Sequence, residues 1–205
     1  MEFTFYTADK IVFKRGALKE AGDYIARLGK KFLVIIDPFF AESPAMEDLT
    51  RQLEALGADY LIFSEVRGEP TVDLVDEVSR LALASQCDAV ISLGGGSCID
   101  VGKATAAIIT NGGPAADYLE VVGKGKKVTE APVPFVAIPT TAGTGSEVTK
   151  NAVLGSKTQG FKRSMRDDKM VATIAIIDPE LDMGCPRKVT ATSGIDALTH
   201  LIEAY

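Results

Sequence analysis

The stretch SLGGGSCIDVGK, residues 92–103, decides the fold class that we predict for this chain. It begins where a strand pattern, DAVISL (88–93), ends, and it continues into a helical pattern. Three successive glycines remove every Cβ, so the backbone N–H groups of this strand-to-helix turn can approach a phosphate closely. The helix start, with Ser97 as the predicted N-cap, adds unpaired donors and a partial positive charge. We predict that the turn binds the diphosphate of a dinucleotide; a tight turn without a ligand is the alternative.

Strand and helix patterns alternate along the rest of the chain. Helices are predicted at 17–28, 44–56, 72–85 and 97–109, and Pro186 is predicted to open a last helix after a linker, PELDMGCP. Strands are predicted at 3–7, 11–14, 31–37, 59–64, 88–93, 134–139 and 172–178, with a hairpin across 149–166. This alternation implies βαβ units, and runs that are apolar on both faces are typical of buried parallel strands. The predicted fold is α/β: an open, mostly parallel sheet with flanking helices, like a Rossmann dinucleotide-binding domain.

The composition excludes several classes of function. The chain has 205 residues, 46% of them hydrophobic and 24% charged, with a formal net charge of −6. The acidic balance argues against nucleic acid or an anionic membrane as a partner, and no apolar run approaches the roughly 18 residues of a membrane span. Three widely spaced cysteines suit free thiols in a reducing compartment. We therefore expect a cytoplasmic protein with neither a nucleic-acid nor a membrane partner.

Two more loops that follow buried strands carry polar groups suited to a dinucleotide. Asp37 ends the strand FLVIID, where a carboxylate can accept hydrogen bonds from a ribose and would repel a 2′-phosphate, favouring NAD over NADP. An ordinary strand-terminating turn is the alternative. The loop AIPTTAGTGSEVTK (137–150) offers hydroxyls and backbone donors for phosphate or a nicotinamide carboxamide. A polar loop that leads into the hairpin is the alternative there.

The last predicted helix contains the single histidine of the chain, His200, four residues after Asp196. At this spacing both side chains project from one helix face, as in the H-E-x-x-H metal motif. Asp plus His suits Fe²⁺, Zn²⁺ or Mn²⁺, and Glu203 is a candidate third ligand. A solvated helix face is the alternative.

The opposite face of this helix is predicted to be an apolar stripe of Ile195, Leu198, Leu201, Ile202 and Tyr205. The stripe requires a cover, which the α/β segment, a partner subunit or an absent helical domain would supply. An uncovered stripe favours self-association, so we expect a homodimer or a higher oligomer.

Four motifs in this order resemble the iron-containing (group III) alcohol dehydrogenase family: GGGSCIDVGK, IPTTAGTGSEVT, IDPEL and TATSGIDALTHLIEAY. The resemblance runs over essentially the whole chain. It implies a dinucleotide-binding domain over 1–182 and the start of a helical metal-binding domain over 183–205, a shortened form that lacks most of the helical domain. It implies NAD(P)-dependent interconversion of small alcohols with aldehydes or ketones. A divalent metal, Fe²⁺ or Zn²⁺, would polarise the alcohol oxygen while hydride passes to the nicotinamide.

The resemblance also implies site residues. It assigns cofactor contacts to Asp37, Gly95, Gly96, Ser97, Thr140, Thr141, Thr144, Val153 and Lys162. It assigns catalysis and the first two metal ligands to Asp196 and His200, whereas the family's two further histidine ligands have no counterpart here. The family's Pro-Asn-Pro-Thr loop is GEPT in this chain, which puts Glu69 near the cofactor and would alter its affinity or preference.

Three alternatives stay open at this point. The chain is a non-catalytic dinucleotide-binding fragment or a half-enzyme that needs a partner, or it is a metal-independent enzyme like maleylacetate reductase. A lyase like dehydroquinate synthase shares the broader fold, but the loop PTTAGTGSE favours the dehydrogenase branch.

Overall fold

A computed structural model describes residues 2–204 and contains a six-stranded sheet and a separate two-stranded hairpin. The sheet has the order β1-β8-β5-β4-β2-β3, and all its neighbouring strands are parallel. Its strands are β1 Lys10–Phe13, β2 Lys31–Ile36, β3 Asp59–Phe63, β4 Ala89–Gly94, β5 Phe135–Pro139 and β8 Ile174–Ile177. The antiparallel hairpin consists of β6 Asn151–Ser156 and β7 Phe161–Arg166. The predicted open parallel sheet is confirmed.

The α-helices at 44–55, 72–84, 96–111 and 187–204 follow the predicted helical patterns, and local capping defines where two of them begin. The predicted helix at 17–28 is a 3-10 turn over 17–20 followed by an α-helix over 21–25 only. The Oγ atom of Ser43 accepts a hydrogen bond from the N–H of Met46 at 3.3 Å, and the Oγ1 atom of Thr71 accepts one from the N–H of Leu74 at 3.2 Å. Such caps satisfy N–H groups that have no partner inside the helix. The helices are α1 Ala21–Ile25, α2 Pro44–Ala55, α3 Val72–Ala84, α4 Gly96–Asn111, α5 Pro179–Asp182 and α6 Arg187–Ala204.

Both faces of the sheet are covered by helices, which explains why its central strands β2, β4 and β5 are apolar at nearly every position. In β2, Phe32, Val34 and Ile36 join the core with residues of α1 and α2. The alternate residues Leu33 and Ile35 join the core with residues of α3 and α4 on the other face. Successive side chains of a strand point to opposite faces, so a strand that is buried on both faces needs an apolar residue at every position.

Two predicted elements differ from the structure. Residues 3–7 form no strand, and Phe3 and Phe5 are 84% and 77% exposed. The strand-like sequence was misleading because β-propensity describes a fit to a pleated, half-buried surface, which this segment lacks. The predicted linker at 179–186 contains the short helix α5, because Asp178 caps it by accepting a hydrogen bond from the N–H of Glu180 at 3.0 Å.

The order of the strands reverses between β2 and β4. From β2 the chain moves outward to the edge strand β3, and it then returns to place β4 on the other side of β2. At such a switch point the two flanking connections lie on opposite faces of the sheet, which leaves a crevice at the carboxyl ends of the strands. Asp37 follows β2 and the glycine turn follows β4, so both predicted dinucleotide-binding features border this crevice.

No helix within residues 2–204 combines the length and apolar character that crossing a membrane requires.

The packing of α4 on the sheet makes a prediction about stability. A Cβ added at Gly102 would lie 2.0 Å from the Oγ atom of Ser92 and 2.9 Å from the ring of Phe135. We expect Gly102→Ala to lower the free energy of unfolding by about 2 kcal/mol, the usual cost of an overpacked core. Urea denaturation measures it. Gly184→Ala is the control, because its added methyl would meet nothing within 4 Å; equal midpoints for G102A and the wild type would contradict the packing.

Candidate functional site

A cleft of about 540 Å³ lies at the carboxyl end of the sheet, between the glycine turn, the Thr/Gly loop after β5, the hairpin and helix α6. The glycine turn and α6 are distant in sequence from the Thr/Gly loop, which leads directly into the hairpin. The cleft brings together seven of the residues that were predicted to form the site: Gly96, Ser97, Thr144, Val153, Lys162, Asp196 and His200.

The glycine turn lacks the predicted N-cap but keeps the predicted shape. Helix α4 begins at Gly96, with the extended residue Gly95 as its N-cap and no side-chain cap among the described residues. The prediction of Ser97 as N-cap is therefore wrong, because Ser97 lies inside the first turn. A Cβ on Gly96 would stand only 2.7 Å from the Oγ1 atom of Thr144. The absence of a side chain thus leaves a cradle of backbone N–H groups that a phosphate fits.

The remaining four predicted cofactor residues adjoin the cleft without lining it. A Cβ on Gly94 would lie 3.1 Å from the Cβ of Asp37, so that carboxylate borders the glycine turn. Its Oδ1 atom accepts a hydrogen bond from the N–H of Phe39 at 2.9 Å. A Cβ on Gly95 would lie 3.5 Å from the Oγ1 atom of Thr141. Thr140 is only 2% exposed, and its carbonyl accepts a hydrogen bond from the thiol of Cys185 at 3.4 Å.

Helix α6 turns its polar face toward the rest of the molecule. A Cβ added at Gly143 of the Thr/Gly loop would lie 2.7 Å from the carbonyl oxygen of Ser193, so the two backbones are in direct contact. Asp196 is three residues further on this face, and its Oδ2 atom lies 3.7 Å from the Nε2 atom of His200. The Asp and His pair therefore lies on one face of the helix, and that face borders the cleft.

The outer face of α6 is uncovered. No residue of this helix is buried, and the predicted stripe residues Ile195, Leu198, Leu201 and Ile202 are 55–72% exposed. Tyr205, the fifth member of the stripe, lies outside the described residues. Of the three covers that the sequence left open, the α/β segment is excluded for the part of the stripe that the structure describes.

Two of the three predicted metal donors on α6, Asp196 and His200, lie at the cleft. Within residues 2–204, no group of three or more His, Cys, Asp and Glu side chains is arranged to hold a metal. The prediction of Glu203 as a third ligand is therefore wrong for the described structure. A tetrahedral site needs more ligands than Asp196 and His200 provide.

Two buried charged residues behind the cleft were missed by the sequence predictions. Asp100 is 7% exposed and lines the cleft, and its Oδ2 atom accepts a hydrogen bond from the N–H of Val153 at 3.0 Å. Its Oδ1 atom is buried and has no partner among the described residues. Burial raises the pKa of Asp100, against the lowering effect of Lys103. Lys103, 1% exposed, lies one turn further along α4. The sequence feature that could have revealed the two residues is their spacing, Asp100 and Lys103 three positions apart in the helix that follows the glycines.

The GEPT loop reaches the cleft as its sequence suggested. Glu69 and Lys162 both line the cleft, and their Oε2 and Nζ atoms are 2.5 Å apart. Pro70 ties this loop to the hairpin, because its carbonyl accepts a hydrogen bond from the N–H of Gly155 at 2.8 Å. An anion that binds Lys162 would therefore compete with the carboxylate of Glu69 for its ammonium.

The parallel sheet, with helices on both faces and a glycine turn at the switch point, defines a Rossmann-like α/β protein. A family model described as iron-containing alcohol dehydrogenase matches residues 8–179. The chain belongs to this family, as its motifs predicted.

Individual relatives agree with this assignment. The NAD-dependent methanol dehydrogenase of Bacillus methanolicus is 39% identical over 202 residues, which cover 98% of this chain and 52% of that protein. The crystal structure of a 1,3-propanediol oxidoreductase superposes with a TM-score of 0.91 at 30% identity, covering 98% of this chain and 52% of the other. A sulfoacetaldehyde reductase from Bifidobacterium kashiwanohense, solved in complex with NAD⁺, gives a TM-score of 0.84 at 33% identity, with 96% and 51% covered. The chain spans about half the length of the relatives that it matches.

The contact between Gly143 and α6 makes a prediction about the position of the Asp and His pair. We expect Gly143→Ala to push α6 away from the Thr/Gly loop, because the added methyl would meet the backbone of Ser193. Hydrogen exchange in residues 187–204 should then rise by about tenfold, which corresponds to roughly 1.4 kcal/mol of lost local stability. Gly194→Ala is the control, since it adds a methyl to open space on the same helix. Unchanged exchange in G143A would show that α6 does not depend on this contact.

Proposed function

We propose that this chain binds a nicotinamide dinucleotide, NAD in preference to NADP, and belongs to an oxidoreductase that interconverts small alcohols with aldehydes or ketones. The observation that carries the proposal is the shared cleft, in which the glycine turn, the Thr/Gly loop and the hairpin meet the Asp and His face of α6. The dinucleotide supplies hydride-transfer chemistry when it is bound. Residues 1–182 are assigned to dinucleotide binding and 183–205 to metal binding.

The residues of the cleft have distinct proposed roles. The N–H groups of Gly96 and Ser97 bind the diphosphate, since the first turn of α4 has no side-chain cap among the described residues. Asp37, beside the glycine turn, accepts hydrogen bonds from a ribose. Thr144, Val153 and Lys162 form the opposite wall and orient the nicotinamide half. Gly95, Thr140 and Thr141 support the turn from behind.

Asp196 and His200 are proposed to hold part of the coordination shell of a divalent cation, Fe²⁺ or Zn²⁺. One carboxylate and one imidazole suit either ion, and both side chains border the cleft. Two ligands leave the shell incomplete, so the proposed role of Asp196 and His200 is to bind the ion.

The proposed role of Asp37 is tested by cofactor preference. We expect the wild type to bind NADH more tightly than NADPH, because the Asp37 carboxylate repels a 2′-phosphate. Asp37→Asn should raise the affinity for NADPH relative to NADH by about tenfold, equivalent to about 1.4 kcal/mol. The fluorescence of each bound reduced dinucleotide measures its dissociation constant.

Asp59→Asn is the matched control for this comparison. It makes the same change in charge at an exposed position, at the amino end of the neighbouring strand β3. The absence of NADH binding by the wild type would contradict the proposed function. An unchanged preference in D37N would remove Asp37 from the site.

The metal ligands are tested by calorimetric titration with Zn²⁺, which needs no catalytic turnover. We expect Asp196→Asn and His200→Ala each to weaken binding by at least about tenfold, because each removes one of two donors. Glu203→Gln, on the same helix, should leave the affinity unchanged. Equal Zn²⁺ affinity in H200A and the wild type would rule out this site.

A second candidate function is dinucleotide binding without catalysis by this chain alone. The incomplete set of metal donors within residues 2–204 favours it. NADH formation from short-chain alcohols in the presence of Fe²⁺ or Zn²⁺ separates the two candidates, since NADH binding without any turnover would favour the second. A metal-independent enzyme like maleylacetate reductase predicts turnover that H200A leaves unchanged.

A further inference from the structure

Lys103 is the charged residue most deeply embedded next to the proposed cofactor cleft. It belongs to the middle of α4, is 1% exposed, and ranks among the largest fully buried side chains of the described chain. Its Nζ atom donates to the carbonyls of Ser146, Thr149 and Asn151 at 2.6, 2.7 and 2.9 Å. An ammonium carries three hydrogens, so these three carbonyls satisfy it fully. Burying a charge is costly unless it is paired in this way.

The three carbonyls belong to the segment that joins the Thr/Gly loop to the hairpin. This segment runs from 146 to 151, between the cleft residues Thr144 and Val153. Asp100, one turn earlier on α4, holds the next point of the chain through the N–H of Val153. The hairpin forms a sheet of its own outside the main sheet, and a two-stranded hairpin is marginally stable alone. Its position therefore depends on its attachments to other elements, and Lys103 and Asp100 supply those that connect this part of the chain to the helix of the glycine turn.

We propose that Lys103 is a positioning residue for the dinucleotide cleft: its ammonium fixes residues 146–151 to the helix of the glycine turn and so sets the distance between the two walls. The inference rests on the proposed function only for the identity of the ligand. Lys103 does not line the cleft, so it would act on a dinucleotide through the residues of this wall that do.

The charge of the ammonium is essential to this role. A neutral amine has two hydrogens for three carbonyls, so one of them would lose its partner. Burial lowers the pKa of Lys103 to about 8, opposed by the nearby carboxylates of Asp100 and Glu147. Further titratable groups near Lys103 line an adjoining cavity of about 350 Å³ and include Tyr6, Asp9, Asp168 and Lys169, and Lys150 pairs with Asp168. The affinity for NADH should therefore fall as the pH rises through about 8.

The effect on stability has the opposite sign. The pKa of Lys103 in the folded chain lies below the ordinary value of 10.5, so the unfolded chain binds more protons between these two values. The contribution of Lys103 to the free energy of unfolding consequently rises with pH across that window. As the pH rises, the affinity for NADH should fall while the contribution of Lys103 to the free energy of unfolding rises. A purely structural role of Lys103 would not make these two quantities change in opposite directions.

The experiment compares the wild type, Lys103→Met, Lys103→Ala and Lys157→Met. Lys157→Met is the matched control, since Lys157 is exposed in the turn of the same hairpin. We expect K103M to weaken NADH binding by at least about tenfold and K157M to leave it unchanged. Propylammonium should restore much of the NADH affinity of K103A by entering the adjoining cavity, whereas neutral propanol of similar size should not.

Two readouts keep the inference separate from the proposed function and from a failure to fold. Hydrogen exchange in residues 144–153, measured without any dinucleotide, should be faster in K103M than in K157M. Equal exchange would overturn the positioning role whether or not NADH binds. If K103M does not fold, K103A decides in its place: hydrogen exchange in residues 144–153 of K103A that propylammonium does not slow would overturn the inference. If the wild type does not bind NADH but exchange is faster in K103M, the dinucleotide is the wrong ligand. The positioning of residues 146–151 by Lys103 would then still stand.

Discussion

The close approach of three chain segments at the glycine turn is the constraint on which the rest of the structure depends. A Cβ on Gly94 would lie 2.7 Å from the Cβ of Cys98 and 3.1 Å from that of Asp37, and one on Gly96 would lie 2.7 Å from the Oγ1 atom of Thr144. The end of β2 and the loop after β5 reach the turn because it has no side chains. The same bare backbone that permits this packing leaves N–H groups open to a phosphate.

Helix α6 shows a reversal of the usual relation between polarity and burial. Its Asp196 and His200 face the cleft, while four apolar side chains of the opposite face remain in water. Burying a side chain of this size stabilises a protein by roughly 1.5–3 kcal/mol, so the stripe is a strong reason for further protein surface to cover it. A second copy of the chain or additional helices would meet that need, and either would also bring new side chains near Asp196 and His200.

The wall of the cleft opposite the glycine turn is held by charges of two kinds. Lys103 and Asp100 are buried and form hydrogen bonds with the backbone of residues 146–153. The loss of any of these bonds would leave a buried polar group without a partner. Glu69 and Lys162 meet at the rim, where both side chains are more than half exposed, and an exposed pair contributes at most about 1 kcal/mol. Glu69 and Lys162 can thus give up their contact to bind an entering ligand. Lys103 and Asp100 cannot give up their contacts with the backbone without loosening this wall of the cleft.

The sequence by itself determined the sheet, most helices, the glycine turn and the Asp and His pair, because each depends on periodicity or on residue types at short spacing. FTFYT shows the limit, since a strand needs a neighbouring strand that local sequence cannot reveal. Only the tertiary structure decided that Thr140 is buried behind the turn while Thr144 borders the cleft, although both belong to one short loop. Only the tertiary structure showed that Asp100 and Lys103 are buried and are not a solvated i,i+3 pair on the helix surface. Their burial depends on the segments that pack around α4, which the helix sequence does not reveal.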